Sequence, residues 1–123
     1  MTGLIRRFLL FRKKPPRDTA GLDQHVVKQL RSIGADLSRP RNVRHFVYFQ
    51  EEARAREAAK QIEKTDYTAT VTAPSDQVPY WTVRAEGNRV ISEATVPGFR
   101  AWFEQVAAEY GGEYDGWEPA TKP

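Results

Sequence analysis

The spacing of apolar residues changes several times along the chain, and each change predicts the boundary of an element. Beyond Pro15-Pro16, apolar residues recur three or four positions apart, which is typical of a helix with one buried face. Asp18 or Thr19 can cap this helix at its start, and Gly34 can end it. Its predicted buried stripe consists of Leu22, Val26, Leu30 and Ile33.

A strand, a second helix and a second strand are predicted in the middle of the chain. Residues 43–49, VRHFVYF, form an aromatic and β-branched run of strand length. From Glu51 to Lys64 the spacing returns to that of a helix, with alanines and one isoleucine on the apolar side. Residues 67–73, YTATVTA, then alternate apolar and threonine side chains, which is typical of a half-buried strand.

The last third of the chain predicts two further strands on either side of a helix. Residues 78–86, VPYWTVRAE, form a predicted strand, which Gly87-Asn88 breaks before a short extended piece at residues 89–92. Thr95 can cap the helix, Gly111-Gly112 can end it, and the string EYDGW is short enough for a final strand. The apolar stripe of this helix consists of Phe99, Trp102, Phe103, Val106 and Tyr110.

After the first helix, the predicted order is strand, helix, strand, strand, helix, strand. This order favours an α+β fold of the ferredoxin-like class, a βαββαβ sandwich. Such a fold has a four-stranded antiparallel sheet with two helices on one face. The extra N-terminal helix is expected either at an edge of the sheet or beside the other two helices.

Helices on one face would leave the other face of the sheet open to a partner. Strand alternation predicts that the first two strands place there Arg44, Phe46, Tyr48, Thr68, Thr70 and Thr72. The third strand adds either Tyr80, Thr82 and Arg84 or the alternate set that contains Trp81. Aromatic, hydroxyl and arginine side chains make this face a candidate binding surface. The alternative is that a second copy of the chain or the extra helix covers it.

Charge divides the chain into two unequal parts. Residues 1–18 hold six basic side chains against one acidic side chain, a net charge of +5. The remainder holds thirteen basic and fifteen acidic side chains, a net charge of −2. The length of 123 residues and the 40% hydrophobic content fit one folded domain. We therefore expect a basic flexible arm at residues 1–18, a domain at residues 19–118 and a disordered C-terminus at residues 119–123.

The basic arm mixes apolar and cationic side chains. Its longest apolar run, residues 8–11, is too short for a membrane span or for the core of a signal peptide. An amphipathic segment of this kind can lie on anionic lipid or on RNA phosphates. The cations that would make these contacts are Arg6, Arg7, Arg12, Lys13 and Lys14. The alternative is a solvated arm without a binding role.

The composition and the motifs argue against an enzyme. The chain has no cysteine, which excludes disulfides, thiolate metal sites and cysteine nucleophiles. None of the common nucleophile, zinc-protease or phosphate-binding motifs is present. The two histidines, His25 and His45, have no repeated spacing to carboxylates. We therefore expect no catalytic residues, no metal, no cofactor and no small-molecule substrate.

RNA binding through the sheet is a weaker alternative. RNA-recognition modules share the βαββαβ order and stack bases on aromatic residues of their first and third strands. Phe46 and Tyr48 would suit the first strand, but residues 78–86 lack the basic, glycine-containing aromatic motif of the third. A body charge of −2 also provides no field that attracts phosphates.

The most specific motif is the C-terminal string GGEYDGWE, residues 111–118. Together with the first strand, which ends in Tyr-Phe, the helix after it and the strand that Tyr67 opens, it resembles the bacterial regulator of ribonuclease activity B family. The resemblance covers residues 20–118 and implies a ferredoxin-like fold. It also implies a small non-catalytic inhibitor that binds ribonuclease E. Members of that family are strongly acidic, which suits a partner rich in arginine.

The implied partner is therefore a ribonuclease E-like endoribonuclease in the cytoplasm. The arm adds RNA or an anionic membrane surface as a further partner, which would place the protein peripherally at the inner membrane. A homodimer is also compatible with the sequence. The candidate partner-binding residues are Phe46, Tyr48, Arg84, Glu113, Asp115 and Trp117. For Trp117 the alternative is packing, together with Tyr114, on the last helix, with a bulge at Gly116.

Overall fold

The computed structural model describes residues 19–119, with side chains from residue 21, and this part of the chain forms three helices and four strands. In chain order these are α1 (Thr19–Ser32), β1 (Arg41–Phe49), α2 (Glu52–Glu63), β2 (Thr68–Thr72), β3 (Trp81–Arg89), α3 (Val96–Glu109) and β4 (Glu113–Pro119). The strands form one antiparallel sheet in the order β2-β3-β1-β4. The predicted ferredoxin-like class with an added N-terminal helix is therefore confirmed.

The main hydrophobic core lies between the sheet and helices α2 and α3. Its fully buried members include Val47 of β1, Ile62 of α2 and Phe103 of α3. Tyr114 of β4 stacks on Phe103, with ring centroids 5.6 Å apart. The predicted packing of the C-terminal strand on the last helix is therefore present. Removal of these apolar side chains from water is the main term that stabilises such a core.

Helix α1 packs on a second hydrophobic cluster at one end of the sandwich. This cluster contains Val27 and Leu30 of α1, Val43 at the start of β1, and Ile91 and Val96 around the start of α3. Phe99 and Trp117 pack against it from α3 and β4. Of the two places expected for the added helix, it therefore occupies the one on the helical side of the sheet.

The buried face of α1 differs from the predicted stripe. Leu30 is buried as predicted, but Leu22 and Ile33 are 56% and 64% exposed. The helix is rotated so that Asp23 and Val27 face inward instead. The reason is the ion pair between Asp23 and Arg100 of α3, which the spacing of apolar residues does not reveal.

Strand β3 continues through the predicted break at Gly87-Asn88 and ends at Arg89. Glycine is required there by a close approach, because a Cβ at Gly87 would lie 2.9 Å from the ring of Tyr67. The guanidinium of Arg89 then stacks over the same ring, 4.0 Å from its centroid. The glycine therefore serves packing inside a strand and does not end it.

The predicted boundaries otherwise shift by one to three residues. Strand β4 reaches Pro119, which pairs with Val43, so this residue belongs to the sheet and not to the expected disordered C-terminus. The basic arm at residues 1–18 and residues 120–123 lie outside the described part of the chain. Within residues 19–119, no helix has the length and apolar character needed to cross a membrane.

Candidate protein-binding surface

The face of the sheet opposite α2 and α3, here called the open face, is built from all four strands. Residues opposite each other in an antiparallel pair point to the same side, so the registers fix its rows. One row is Thr72, Thr82, Tyr48 and Glu113; the next is Thr70, Arg84, Phe46 and Gly116; a third is Thr68, Glu86, Arg44 and Glu118. The alternation predicted for β1 and β2 is confirmed, and β3 contributes the set with Thr82 and Arg84.

Two aromatic residues of β1 lie side by side on the open face but differ in exposure. Phe46 is partly exposed, whereas Tyr48 is only 4% exposed. Tyr80 packs beside Tyr48 with ring centroids 6.1 Å apart, and the Tyr48 hydroxyl donates to Asp115 over 3.4 Å. A partner can therefore reach the ring of Phe46, while Tyr48 supports the residues around it.

Charged side chains surround Phe46 and are paired with one another. Arg84 contacts Glu86 at 2.8 Å along β3. Arg44 lies between Glu86, at 3.9 Å, and Glu118, at 3.4 Å. With the acids of β4, the open face carries four carboxylates against two guanidinium groups, so its net charge is negative.

A β-bulge sets the position of Asp115. The register between β1 and β4 shifts between Phe46 and Val47, which leaves Asp115 as the extra residue of β4. Gly116, beside it, has φ +131°, a backbone conformation that favours glycine. The predicted bulge at this glycine is therefore present, and it turns the Asp115 carboxylate toward Tyr48.

Trp117 lies on the opposite side of the sheet from the other five predicted partner-binding residues. Its ring packs edge-on against Phe99, with centroids 5.3 Å apart. Its indole Nε1 donates to Asp23 of α1 over 2.9 Å. The packing alternative for Trp117 is thus the observed one, and its contacts connect β4 with α1 and α3.

The same carboxylate of Asp23 binds Arg100 of α3. Arg100 Nε and Nη2 donate to its two oxygens over 2.5 and 3.0 Å, and both side chains are largely buried. The Arg100 guanidinium also lies over the ring of Tyr114, 5.0 Å from its centroid. Sequence reasoning missed both charges. The available signal was that each lies at the margin of the predicted apolar stripe of its helix.

His45 is fully buried on the helical side of the sheet. It stacks on Phe103 with centroids 3.9 Å apart, and its Nδ1 lies 2.8 Å from the hydroxyl of Tyr114. Burial, followed by the nearby charges of Arg89 and Arg100, lowers the pKa of His45 to about 3. The ring is therefore neutral and acts as a packed hydrogen-bonding residue. Among residues 19–119, no three histidines or carboxylates cluster as metal ligands.

The sequence-predicted site is thus divided among three places. Phe46, Tyr48, Arg84, Glu113 and Asp115 lie on the open face. Trp117 supports the fold from the other side. The arm cations Arg6, Arg7, Arg12, Lys13 and Lys14 lie outside the described residues. Arg44 was predicted on this face but not among the partner-binding residues, whereas Glu86 was missed. The signal for Glu86 is its alternation with Arg84 in β3.

Comparison with known proteins agrees with this architecture. The family model described as regulator of ribonuclease activity B matches residues 22–118, from the first turn of α1 to the end of the EYDGWE string. No curated protein matches the chain significantly. The matched region spans all four strands and all three helices and covers most of the sequence. The chain therefore belongs to the regulator of ribonuclease activity B family.

Proposed function

We propose that the protein binds a ribonuclease E-like endoribonuclease through the open face and lowers its cleavage of RNA. The family describes regulators of ribonuclease activity, and this proposal names the nuclease and the surface. The observation that carries it is the open face itself, a four-stranded surface that α1, α2 and α3 leave uncovered.

The centre of the proposed interface is Phe46 with Arg84 opposite it in β3. A partly exposed aromatic ring beside a guanidinium is the combination that concentrates binding energy in protein interfaces. The threonines of β2 extend this surface with hydroxyl groups that donate and accept hydrogen bonds. Tyr48 contributes to the interface indirectly, because its hydroxyl donates to Asp115 and positions that carboxylate.

The charge of the open face selects the chemistry of the partner. Glu113, Asp115 and Glu118 form an acidic border along β4. Together with Glu86 of β3 they give the open face four carboxylates, which the guanidinium groups of Arg44 and Arg84 offset only in part. This border fits a segment rich in arginine or lysine on the nuclease. It argues against RNA on the same face, because phosphates would meet a net negative surface.

Regulation by this route requires no catalysis by the protein and no metal or cofactor. A bound regulator lowers cleavage by covering a surface that the nuclease needs for its RNA. The proposed place of action is the cytoplasm, where ribonuclease E-like enzymes meet their RNA.

The test combines a binding measurement and a cleavage measurement with purified nuclease. Wild-type protein is titrated against the immobilised endoribonuclease while cleavage of a structured RNA is followed in parallel. Phe46→Ala should weaken binding by about tenfold or more and relieve inhibition to the same extent. Lys60→Ala, an exposed change on α2, is the matched control and should behave as wild type.

Two outcomes would contradict the proposal. One is that micromolar wild-type protein neither binds nor slows the nuclease. The other is that Phe46→Ala and Lys60→Ala inhibit equally well. If the protein instead binds the RNA substrate directly, with an affinity that falls steeply with salt, the RNA alternative replaces the inhibitor.

A further inference from the structure

The sheet has two edge strands, β2 and β4, and they differ in how well they resist pairing with another strand. Strand β4 carries three carboxylates, a β-bulge and a proline at its end. These features protect a sheet edge from unwanted pairing. Strand β2, with the sequence TATVT, has no charge, no proline and a regular register with β3. Among residues 19–119 it pairs with β3 alone. The outer edge of β2 is therefore where this sheet can accept a further strand.

Two hydrogen bonds show which backbone groups of β2 point to its outer edge. The N–H of Ala69 donates to the Glu63 carboxylate at the end of α2, over 3.4 Å. The N–H of Tyr67, two residues earlier, donates to the Thr65 hydroxyl over 3.3 Å. Neither N–H is directed at β3. Because backbone groups alternate along a strand, the N–H and C=O of Ala69 and Val71 face outward, and those of the threonines face β3.

The sequence of β2 is complementary to a second, antiparallel copy of itself. When Thr70 lies opposite the second copy's Thr70, Ala69 lies opposite Val71, and Thr68 lies opposite Thr72. The outward groups of Ala69 and Val71 then form four hydrogen bonds between the two strands. Each exposed threonine meets a threonine, and the small apolar side chains meet on the helical side, which are favourable cross-strand pairs. A patch that fits itself in this way is what a two-fold dimer requires.

We propose that the outer edge of β2 joins two copies of the chain into one eight-stranded antiparallel sheet. The neutral strand brings no charge against its own copy, whereas an acidic or basic partner strand would find no opposite charge on it. Glu63 does not block the contact. Its side chain is exposed and its bond to Ala69 is long, so a carbonyl of the second strand can replace the carboxylate.

This dimer leaves the open face accessible and doubles it. The two-fold axis passes through the Thr70 pair, so both open faces lie on the same side of the joined sheet. Five strand spacings separate the two copies of β1, which places the two Phe46 rings about 24 Å apart. The acidic borders of β4 form the two outer edges. The proposal does not depend on nuclease binding, and dimerisation is measured without the nuclease.

Oxidative cross-linking of the full chain tests the contact and its register. The chain has no cysteine, so Thr70→Cys introduces a single thiol. In the proposed dimer the two thiols meet at the two-fold axis. Thr68→Cys, on the same strand and face, is the matched control, because its two copies would lie about 13 Å apart. Under mild oxidation, Thr70→Cys should form about tenfold more covalent dimer than Thr68→Cys, since a disulfide needs Cα atoms within about 7 Å.

Sedimentation of the protein without a cross-link measures the strength of the contact. Wild type should pass from monomer to dimer with a Kd on the order of 100 μM, because five residues a side bury less than a standard interface. Thr70→Lys and Thr70→Glu each place like charges opposite each other and should each weaken the dimer by about fivefold. A mixture of the two should form a heterodimer tighter than either homodimer. Gln105→Lys, the same charge on the exposed side of α3, should dimerise as wild type.

Three results would overturn the proposal. Wild type could remain a monomer at millimolar concentration, the two cysteine variants could cross-link equally, or the lysine and glutamate variants could fail to form the heterodimer. A dimer that Phe46→Ala dissociates and Thr70→Lys leaves intact would place the contact on the open face, and the assignment to β2 would be wrong.

Discussion

The carboxylate of Asp23 in α1 accepts two hydrogen bonds from the guanidinium of Arg100 in α3, at 2.5 and 3.0 Å. The indole of Trp117 donates to the same carboxylate. Helices α1 and α3 and strand β4 therefore meet at one buried carboxylate, and Asp23 lies 77 residues before Arg100 and 94 before Trp117. Through it, the helix added to the ferredoxin-like sandwich becomes part of a single packed unit.

Removal of one charge from this pair should destabilise the protein strongly. Asp23→Ala leaves the Arg100 guanidinium buried without its carboxylate, so the free energy of unfolding should fall by about 3 to 5 kcal/mol. Chemical denaturation followed by tryptophan fluorescence measures the change. Replacement of both partners, Asp23→Leu with Arg100→Met, should recover much of the loss, because no uncompensated charge then remains.

The matched control is the ion pair between Arg31 and Glu93. These side chains also join α1 to the segment before α3, but they are 53% and 42% exposed. Water screens such a pair, so Arg31→Ala should lower stability far less than Asp23→Ala. Equal losses for the two single variants would show that burial does not determine the strength of the Asp23 contact.

The pair also shows where sequence reasoning stops. The helical pattern predicted α1 from its apolar spacing, but the same pattern placed Leu22 and Ile33 inside and Asp23 at the margin. In the structure the burial is reversed, because Asp23 is buried and Leu22 and Ile33 are exposed. A carboxylate at the margin of the apolar stripe of one helix and a guanidinium at the margin of another are the only sequence signals of this pair. Only the tertiary fold shows that the two stripes face each other.

Stability should depend on pH through His45. The folded-state pKa, about 3, is below the ordinary value of 6.5 because the ring is buried. The unfolded chain therefore binds a proton more readily than the folded chain below pH 6.5. The stabilising effect is fully present above that pH and is lost as the pH falls from 6.5 toward 3. At pH 5 the loss should be about 2 kcal/mol.

Denaturation curves at pH 7 and pH 5 measure this effect. His45→Phe removes the titrating ring and keeps an aromatic side chain against Phe103, so most of the difference between the two pH values should disappear. His25→Gln, on the exposed side of α1, should keep the full difference. A His45→Phe variant with an unchanged pH dependence would assign the effect to the carboxylates instead.

Gly112, after α3, should not tolerate a larger residue. A Cβ at this position would lie 2.5 Å from the Phe49 ring and 2.6 Å from the backbone carbonyl of Tyr48. Gly112→Ala should therefore cost about 1 to 3 kcal/mol of stability. Gly98→Ala is the matched control, because nothing lies within 4 Å of its Cβ. A thermal melt that moves equally for both variants would show that the backbone near Gly112 yields easily.

The fold was largely predictable, whereas the accessible part of the surface was not. Alternation in β1 correctly assigned Phe46 and Tyr48 to the open face, because side chains in a strand change sides at every residue. It could not show that Tyr80 and Asp115 cover Tyr48, since those contacts depend on the turn before β3 and on the bulge in β4. The strand break predicted at Gly87 was wrong for a similar reason, because the glycine is needed for its close contact with the ring of Tyr67.

Variants at two parts of the open face should change different rates of binding to the nuclease: the acidic border should affect association, and Phe46 should affect dissociation. Glu113→Gln with Asp115→Asn removes two charges from the acidic border and keeps the size of both side chains. Long-range attraction to a basic partner is thereby reduced, so association should slow by about tenfold at low salt and become less dependent on salt. Phe46→Ala should instead speed dissociation by about tenfold or more, because an anchor at the centre of the interface is lost.

Binding kinetics against the purified endoribonuclease measure both rates. The matched control for charge is Glu57→Gln with Glu109→Gln, which makes the same change in net charge on the exposed surfaces of α2 and α3. This control should associate nearly as fast as wild type if attraction arises locally at the border along β4. Equal slowing by the two amide pairs would show that only total charge guides the encounter. The acidic border would then have no specific part in recognising the nuclease.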